Sequence, residues 1–273
     1  MDVKVKFLGG SGSVTGSKYL IDLGEFEFLV DCGLFQGPRD LRERNWDKFP
    51  MPVEALEAII LTHGHLDHVG YLPKIVKQGF KGPIYCTEAT AELVKILLLD
   101  SGKLQQEEAE FAKKKGYSRH EDPQPLYTVE DAEAVFPLLV PQPFEKTFSI
   151  SKNVQVTYYH AGHILGAAIA KVMIQGDFQT KRLVFSGDLG RYQDPLLYPP
   201  TSIPKADVLW IESTYADRKA PQIRPEAELG SAINDTFDRG GLVIIPSFAI
   251  GRTQLVLYHL YQLMEKKKIP NVP

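Results

Sequence analysis

A histidine-rich segment, Thr62-His63-Gly64-His65-Leu66-Asp67-His68, places the strongest constraint on what this chain can fold into. It holds three imidazoles and one carboxylate, and it directly follows an apolar run at 58–61 that is typical of a buried strand. Side chains two residues apart in an extended turn point the same way, so His63 and His65 can bind one metal ion. Asp67 and His68 can serve a second ion nearby. Imidazole and carboxylate ligands suit zinc, and also iron, nickel or manganese.

Two further groups of metal-capable side chains follow later predicted strands. His160-Ala161-Gly162-His163 comes after an alternating run at 154–159, and Ser186-Gly187-Asp188 comes after a run at 182–185. A single histidine in a polar loop is more often a satisfied hydrogen-bonding group than a metal ligand. Three strand ends that each deliver such residues instead favour a metal site assembled at one edge of a sheet sandwich.

The remaining patterning predicts a mixed α/β fold. A helix is expected at 69–78, and a capping residue opens another at 87–90. Alternating or apolar runs predict further strands at 3–7, 18–22, 26–31, 83–86, 168–174 and 208–211.

Two segments differ in character from this strand-rich part. Residues 101–134 are rich in charge and helix formers, which favours a solvated helical insertion over a binding patch. Beyond residue 221, a helix at 226–237, a buried strand at 242–246 and a helix at 253–268 indicate a second α/β unit that starts near residue 212.

Composition limits the class of protein without selecting a function. Of 273 residues, 44% are hydrophobic and 24% charged, which excludes a disordered chain or a disulfide scaffold. The formal charge of −3 gives no general attraction for nucleic acid, although bound divalent metals would reverse the sign of an acidic site. The apolar runs are shorter than a membrane span. Cys32 and Cys86 lie in apolar runs, which favours buried thiols and a cytoplasmic protein while leaving a disulfide open.

These motifs resemble those of the metallo-β-lactamase superfamily, whose signature is His-x-His-x-Asp-His. More narrowly, the chain resembles the β-CASP branch of RNA-processing nucleases over essentially its whole length. That branch includes the endonuclease subunit of the mRNA cleavage and polyadenylation factor and its prokaryotic relatives. Glu212-Ser213-Thr214-Tyr215 points to the branch. The other stretches that carry the resemblance are 28–33, 63–68, 161–163, 186–188, 126–132 and 246–254.

The resemblance implies an αββα sandwich in residues 1–210, incomplete at its C-terminal end. Residues 211–273 would be the truncated start of an inserted α/β β-CASP domain. In this family a proton-donating histidine and the last histidine of the second metal site lie beyond the point at which this chain stops. We therefore expect an N-terminal portion of a longer enzyme, in which the second site lacks a ligand and activity is weak or absent.

The resemblance also implies a ligand set for two zinc ions. His63, His65 and His163 would hold the first Zn²⁺, Asp67 and His68 would hold the second, and Asp188 would bridge them.

Three acidic residues carry further implied roles. Asp31 would order the ligand loops by hydrogen bonding without binding a metal. Asp67 could also accept a proton during catalysis, and Glu212 would orient the general-acid histidine.

The implied reaction is hydrolysis of RNA by a metal-activated hydroxide, with endonuclease and exonuclease action both open. Ser247, Arg252 and Thr253 lie where a predicted strand turns into a helix, and they could bind a phosphate group. A capping serine and a surface arginine would explain these residues equally well. RNA is the expected partner, no membrane is expected, and a homo-oligomer stays open.

Three alternatives remain at this stage. Another metallo-β-lactamase-fold hydrolase, such as a thioesterase, lactamase or lactonase, would share the segment at 63–68 but would not normally carry the unit after Glu212. A dinucleotide-binding protein is suggested by the glycines at 10–16, but residues 17–31 predict two strands where the phosphate-binding helix would be needed. A non-catalytic scaffold subunit would keep the fold but lose metal ligands, and those expected before residue 212 are all present.

Overall fold

The computed structural model describes residues 2–116, 122–219 and 225–271. The chain divides into two compact units. The first consists of Met1–Tyr192 and Tyr198–Glu212, and the second of Gln193–Leu197 and Ser213–Pro273.

Eleven strands of the first unit form two sheets. The first sheet has six strands in the spatial order β1 to β6, with antiparallel pairing for β1–β2–β3 and parallel pairing from β3 to β6. Its strands are β1 Lys4–Gly9, β2 Lys18–Asp22, β3 Glu27–Val30, β4 Ala58–Ile60, β5 Ile84–Thr87 and β6 Leu139–Gln142.

The second sheet has five strands in the order β11-β10-β9-β8-β7. It is antiparallel except for the parallel pair β10–β11. Its strands are β7 Thr147–Ser151, β8 Val154–His160, β9 Ala168–Gln175, β10 Thr180–Phe185 and β11 Val208–Trp210.

The two faces of the first sheet bury two different cores. Phe28, Val30 and Ile60 point into a core that also holds Val156 and Phe185 of the second sheet, so the sheets pack as a sandwich. The opposite face packs against helices. The helices of the first unit are α1 Arg39–Glu43, α2 Leu66–Val69, α3 Leu72–Lys77, α4 Glu88–Lys115 and α5 Val129–Glu133, with short 3₁₀ turns at Arg44–Trp46, Val53–Ala55 and Phe136–Leu138.

This architecture confirms the predicted mixed α/β fold with two sheets and helices. Cys32 and Cys86 are buried free thiols in it. Within the described ranges, no helix has the length and apolar character that crossing a membrane requires.

The predicted solvated insertion at 101–134 is only partly correct. The last turns of α4, including Lys113, Lys114 and Lys115, are exposed. Ser101 is buried, however, and its hydroxyl lies 2.7 Å from that of Tyr127, which belongs to the helix-side core. One face of this charged segment therefore packs on the sheet, and a charge count over the whole segment hides that face.

The helix predicted at 69–78 is replaced by two shorter helices. Gly70 ends α2, and α3 begins at Leu72. A Cβ on Gly70 would lie 2.6 Å from the carbonyl oxygen of Leu66 and 2.8 Å from the side chain of Leu34. The chain turns here because Gly70 allows this close approach.

The second unit contains helices α6 Pro225–Asp238 and α7 Arg252–Glu265, which pack through Ile233 and Leu263. The buried strand predicted at 242–246 is wrong, because these residues form no strand and Leu242 is 83% exposed. A strand needs a hydrogen-bonded neighbour, and the described residues 213–219 and 225–271 contain no other strand to pair with it. Strand propensity alone does not supply that partner.

Candidate metal centre

The ends of strands from both sheets meet at the candidate site. His63 and His65 follow β4, and Asp31 follows β3 of the same sheet. His163 follows β8, and Asp188 follows β10 of the second sheet. The sandwich therefore brings together side chains that lie more than 100 residues apart in the sequence.

Four of these side chains form a compact group with converging ligand atoms. One atom from each of His63, His65, His163 and Asp188 lies within 4.8 Å of the others. The Nδ1 atom of His65 is 3.1 Å from Nε2 of His63 and 3.1 Å from Nε2 of His163. The Oδ2 atom of Asp188 is 3.8 Å from Nε2 of His63 and 3.4 Å from Nε2 of His163.

These separations fit one small metal ion. Two ligand atoms that are each about 2.1 Å from a tetrahedral zinc lie roughly 3.4 Å apart. The closest pairs in the group, from 3.1 to 3.8 Å, lie on either side of that value. Three imidazoles and one carboxylate also form a donor set that zinc accepts.

The imidazoles of this group are held neutral, as ligands must be. Burial, reinforced by the neighbouring imidazole of His163, lowers the pKa of His65 to about 4. Burial also lowers the pKa of His163, and it places the pKa of His63 well below the ordinary value. All three rings therefore offer a free lone pair near neutral pH.

Asp188 also contacts a second group of metal-capable residues. Its Oδ1 atom lies 3.3 Å from Nε2 of His68, and that same nitrogen is 3.9 Å from Oδ2 of Asp67. The two oxygens of Asp188 thus face different histidines. Asp67 and His68 are not members of the four-residue group around His65.

His68 differs from the other histidines in its protonation. Burial alone would lower its pKa, but the carboxylates of Asp31 and Asp188 outweigh burial and raise the pKa well above the ordinary value. His68 is consequently an imidazolium that donates from Nδ1 to Asp31 at 2.7 Å. The Nε2 proton would have to leave before this nitrogen could bind a metal.

Asp31 is a buried anchor for two of the histidine positions. Its Oδ1 accepts a hydrogen bond from the backbone N–H of Thr62 at 2.7 Å, and its Oδ2 accepts from the Thr62 hydroxyl at 2.8 Å and from His68. The residue adopts a left-handed backbone conformation with φ of 60°. Such strain persists where surrounding contacts fix the conformation, and it is common at functional sites.

Glu212 connects the end of β11 to the loop that carries Asp188. Its Oε1 accepts a hydrogen bond from the backbone N–H of Leu189 at 2.9 Å, and its own N–H donates to the Ser186 hydroxyl at 3.0 Å. Glu212 therefore holds both sides of Asp188 in place.

Two glycines allow the ligand loops to approach each other. A Cβ on Gly33 would lie 1.6 Å from the carbonyl oxygen of Asp67, and a Cβ on Gly190 would lie 1.6 Å from that of Gly162. Side chains at either position would separate the loops that hold the histidines.

The three predicted phosphate-binding residues, Ser247, Arg252 and Thr253, belong to the second unit. Arg252 begins α7 and is exposed, as is Ser247. The N-cap is Gly251, so Ser247 does not cap the helix. The Thr253 hydroxyl donates to the carbonyl oxygen of Phe248 at 2.7 Å, so its proton is used within the loop.

Several supporting residues carry no clear signal in the sequence. The sequence marks Thr62 only as the start of the polar turn, although its hydroxyl lies 3.1 Å from Nδ1 of His63. Ser186 belongs to a recognisable motif, but its bond to Glu212 is visible only in the structure. Lys18 is buried and donates to the carbonyl oxygen of Gly33. Its position in an alternating strand gives no sign of this contact.

Comparisons with known proteins agree with this geometry. A family model described as the metallo-beta-lactamase superfamily matches residues 14–229. Ribonuclease TTHA0252 of Thermus thermophilus is 35% identical over 266 residues, which are 97% of this chain and 56% of that protein. Transcription termination factor FttA of Methanocaldococcus jannaschii is 34% identical over 256 residues, 92% of this chain and 38% of that protein. The corresponding factor of Methanosarcina mazei is 33% identical over 278 residues, 99% of this chain and 41% of that protein.

The chain thus spans between 38% and 56% of the length of these three curated relatives. The resemblance found in the His-x-His-x-Asp-His motif is confirmed by the family match. The match covers well over half of the residues of the chain, and the chain therefore belongs to the metallo-beta-lactamase superfamily.

Proposed function

We propose that this chain carries the metal centre of a zinc-dependent ribonuclease of the β-CASP branch. The observation that carries the proposal is the convergence of His63, His65, His163 and Asp188 on one point, with the second oxygen of Asp188 turned to His68. RNA as the substrate is supported by the similarity to a protein named as a ribonuclease. Similarity to proteins named as transcription termination factors is consistent with action on RNA.

The residues divide into two metal sites in this proposal. His63, His65 and His163 would hold the first Zn²⁺, Asp67 and His68 would hold a second ion, and Asp188 would contribute to both. The first site would be the tighter one, because the ligand atoms of its three histidines and of Asp188 converge on one point, a group to which Asp67 and His68 do not belong.

Zinc bound there would supply Lewis-acid stabilisation of phosphate charge and a water molecule that ionises near neutral pH. Asp67 is the proton acceptor among the protein groups, since burial raises its pKa above that of an ordinary carboxyl group. Asp31 fixes the orientation of the His68 ring, and Glu212 fixes the loop of Asp188. Glu212 would also orient a general-acid histidine, as the family resemblance implies.

We further propose that residues 1–210 form the metallo-β-lactamase domain and that 211–273 begin the β-CASP domain. Ser247, Arg252 and Thr253 would then contact phosphates of the RNA from that domain. The exposed Arg252 at the start of a 14-residue helix supports this assignment. A cytoplasmic location is part of the proposal because the substrate is RNA.

The test offers the zinc-supplied chain three substrates and measures hydrolysis of each. The substrates are a 5′-labelled single-stranded RNA, a thioester and a chromogenic cephalosporin. We expect slow cleavage of the RNA alone, and its loss in Asp188→Asn. Asp22→Asn is the matched control, because Asp22 lies at the end of β2 away from the candidate site and accepts a bond from the backbone N–H of Gly24. Hydrolysis of the thioester or lactam with intact RNA would contradict the proposal.

A further inference from the structure

Three aromatic rings of the first unit stack beside the loop that carries His163. The centroid of the His160 ring lies 3.9 Å from that of the Phe144 ring and 4.8 Å from that of the Tyr198 ring. The corresponding interplanar angles are 24° and 35°. We call Phe144, His160 and Tyr198 the aromatic stack. Neither the metal centre nor the core between the sheets requires Tyr198.

The stack is anchored at one end and open at the other. Phe144 packs against the core between the two sheets, whereas Tyr198 is 72% exposed. Because one face of the Tyr198 ring lies against His160, that exposure leaves its other face open to water.

The backbone around Tyr198 holds the ring in place. Pro199 and Pro200 follow it, and a residue before proline is restricted to extended conformations. The backbone N–H of Thr201 donates to the carbonyl oxygen of His160 at 2.8 Å. The open ring face is therefore already oriented and needs little further ordering to bind a ligand.

The aromatic stack adjoins the candidate metal centre. A Cβ on Gly162 would lie 2.6 Å from the carbonyl oxygen of Tyr198, and Gly162 directly precedes His163. Leu165, two residues after His163, is 60% exposed. Arg191 is also exposed and follows Gly190, whose backbone touches that of Gly162.

We propose that Tyr198 is a stacking platform for one base of single-stranded RNA next to the phosphodiester bond that is cleaved. This inference rests on the proposed function. An exposed aromatic ring stacks on any base through its π face, and Arg191 offers a cation for an adjacent phosphate. The stack supplies affinity and position without reading sequence, because every base has a π face. Tyr198 is thus a substrate-binding residue.

The test is binding of a fluorescein-labelled ten-nucleotide oligoadenylate to the zinc-supplied chain, measured by anisotropy at low salt. Phosphorothioate linkages in the oligonucleotide make it resistant to cleavage. Tyr198→Ala should weaken binding about tenfold, within the range measured for loss of one base–aromatic stack. Tyr198→Phe should bind as the unaltered chain does. An abasic oligonucleotide of the same length should bind equally to the unaltered chain and to Tyr198→Ala, since it has no base to stack.

Phe178→Ala is the matched control, because Phe178 is a fully exposed aromatic residue of the same unit. Ala168, the first residue of β9, pairs with His160, whereas Phe178 lies beyond the last residue of the same strand. The length of β9, about 23 Å, therefore separates Phe178 from the aromatic stack. Equal binding by Tyr198→Ala and the unaltered chain would overturn the platform and leave the proposed function standing. Binding that depends on Tyr198, from a chain that hydrolyses the thioester or lactam and leaves RNA intact, would support the platform and count against the ribonuclease. Absence of any binding would overturn both.

Discussion

Replacement of Asp31 by asparagine tests how the carboxylate controls the protonation of His68. In Asp31→Asn, the amide oxygen can still accept the hydrogen bond from the Thr62 N–H. The amide NH₂ then replaces Oδ2, which lies 2.7 Å from Nδ1 of His68. Two donors cannot face each other at that distance, so Nδ1 must lose its proton and become an acceptor. The remaining proton of the neutral ring then stays on Nε2. That nitrogen is the atom that faces Asp188.

The expected magnitudes follow from these contacts. Loss of one buried hydrogen bond between charged groups costs about 1.5–3 kcal/mol, so Asp31→Asn should lower the free energy of unfolding by that amount. Asp31→Ala also removes both bonds to Thr62 and leaves the Nδ1 side of the imidazolium without a carboxylate, which should cost about 3–5 kcal/mol. Altered supporting residues typically weaken metal binding about 10–100-fold, and we expect Asp31→Asn to fall in that range.

The two tryptophans provide the assay. Trp46 and Trp210 both belong to the first unit, so their fluorescence during urea unfolding in EDTA reports on the unit that holds the site. Zinc affinity is measured by competition with a chromogenic chelator. Asp22→Asn, in the neighbouring strand, should change neither quantity appreciably. Unaltered zinc affinity in Asp31→Asn would refute the tautomer argument, whatever the loss of stability.

Three further changes test the surroundings of the site. Gly33→Ala would place a methyl group 1.6 Å from the carbonyl oxygen of Asp67, and we expect a loss of about 3 kcal/mol in the free energy of unfolding by urea. Tyr127→Phe removes one of two partners of the buried Ser101 hydroxyl, which also accepts from Gln105, and should cost about 1–1.5 kcal/mol in the same assay. Burial lowers the pKa of Lys18 to about 8, so the folded protein binds fewer protons than the unfolded chain above that pH. Relative to Lys18→Met, the unaltered chain should therefore gain about 2 kcal/mol between roughly pH 7.5 and 9.5.

Each of these expectations has a distinct contrary result. A Cβ on Gly12 would meet nothing within 4 Å, so Gly12→Ala provides the comparison for Gly33→Ala. Its left-handed backbone costs an alanine only about 1–2 kcal/mol, and equal losses in the two variants would refute the steric argument. A stability difference that stays flat or falls with rising pH would refute the pKa assigned to Lys18. Full stability of Tyr127→Phe would show that the bond from Gln105 is enough for the Ser101 hydroxyl.

Short-range patterns predicted most of the strands but missed β6 and β7. The strands that precede His63, His163 and Asp188 have at least one apolar face, because they are buried within a sandwich. Such burial leaves a periodic pattern of apolar residues in the sequence. The same reasoning failed at 242–246, where a strand-like sequence lies exposed. The apolar residues of this segment favour an extended conformation. Strand formation also needs a hydrogen-bonded neighbouring strand, which the local sequence does not contain.

The site itself was predicted less completely than the strands. Spacing places His63 beside His65, but only the folded sandwich brings His163 to 3.1 Å from His65. The raised pKa of His68 arises from Asp31, which lies 37 residues away in sequence. The close approach at Gly33 depends likewise on a distant backbone oxygen. Such contacts carry no local pattern, so sequence reasoning reaches them only through resemblance to a family.

The most direct test of the metal centre is elemental analysis of the purified 273-residue chain beside a His63→Ala, His65→Ala double variant. His259→Ala, altered in the second unit, is the control. The account predicts about one or two equivalents of zinc in the unaltered chain and in the control, with the first ion bound more tightly, and none in the double variant. A folded chain that binds no zinc when zinc is supplied, or that keeps it without His63 and His65, would contradict the account.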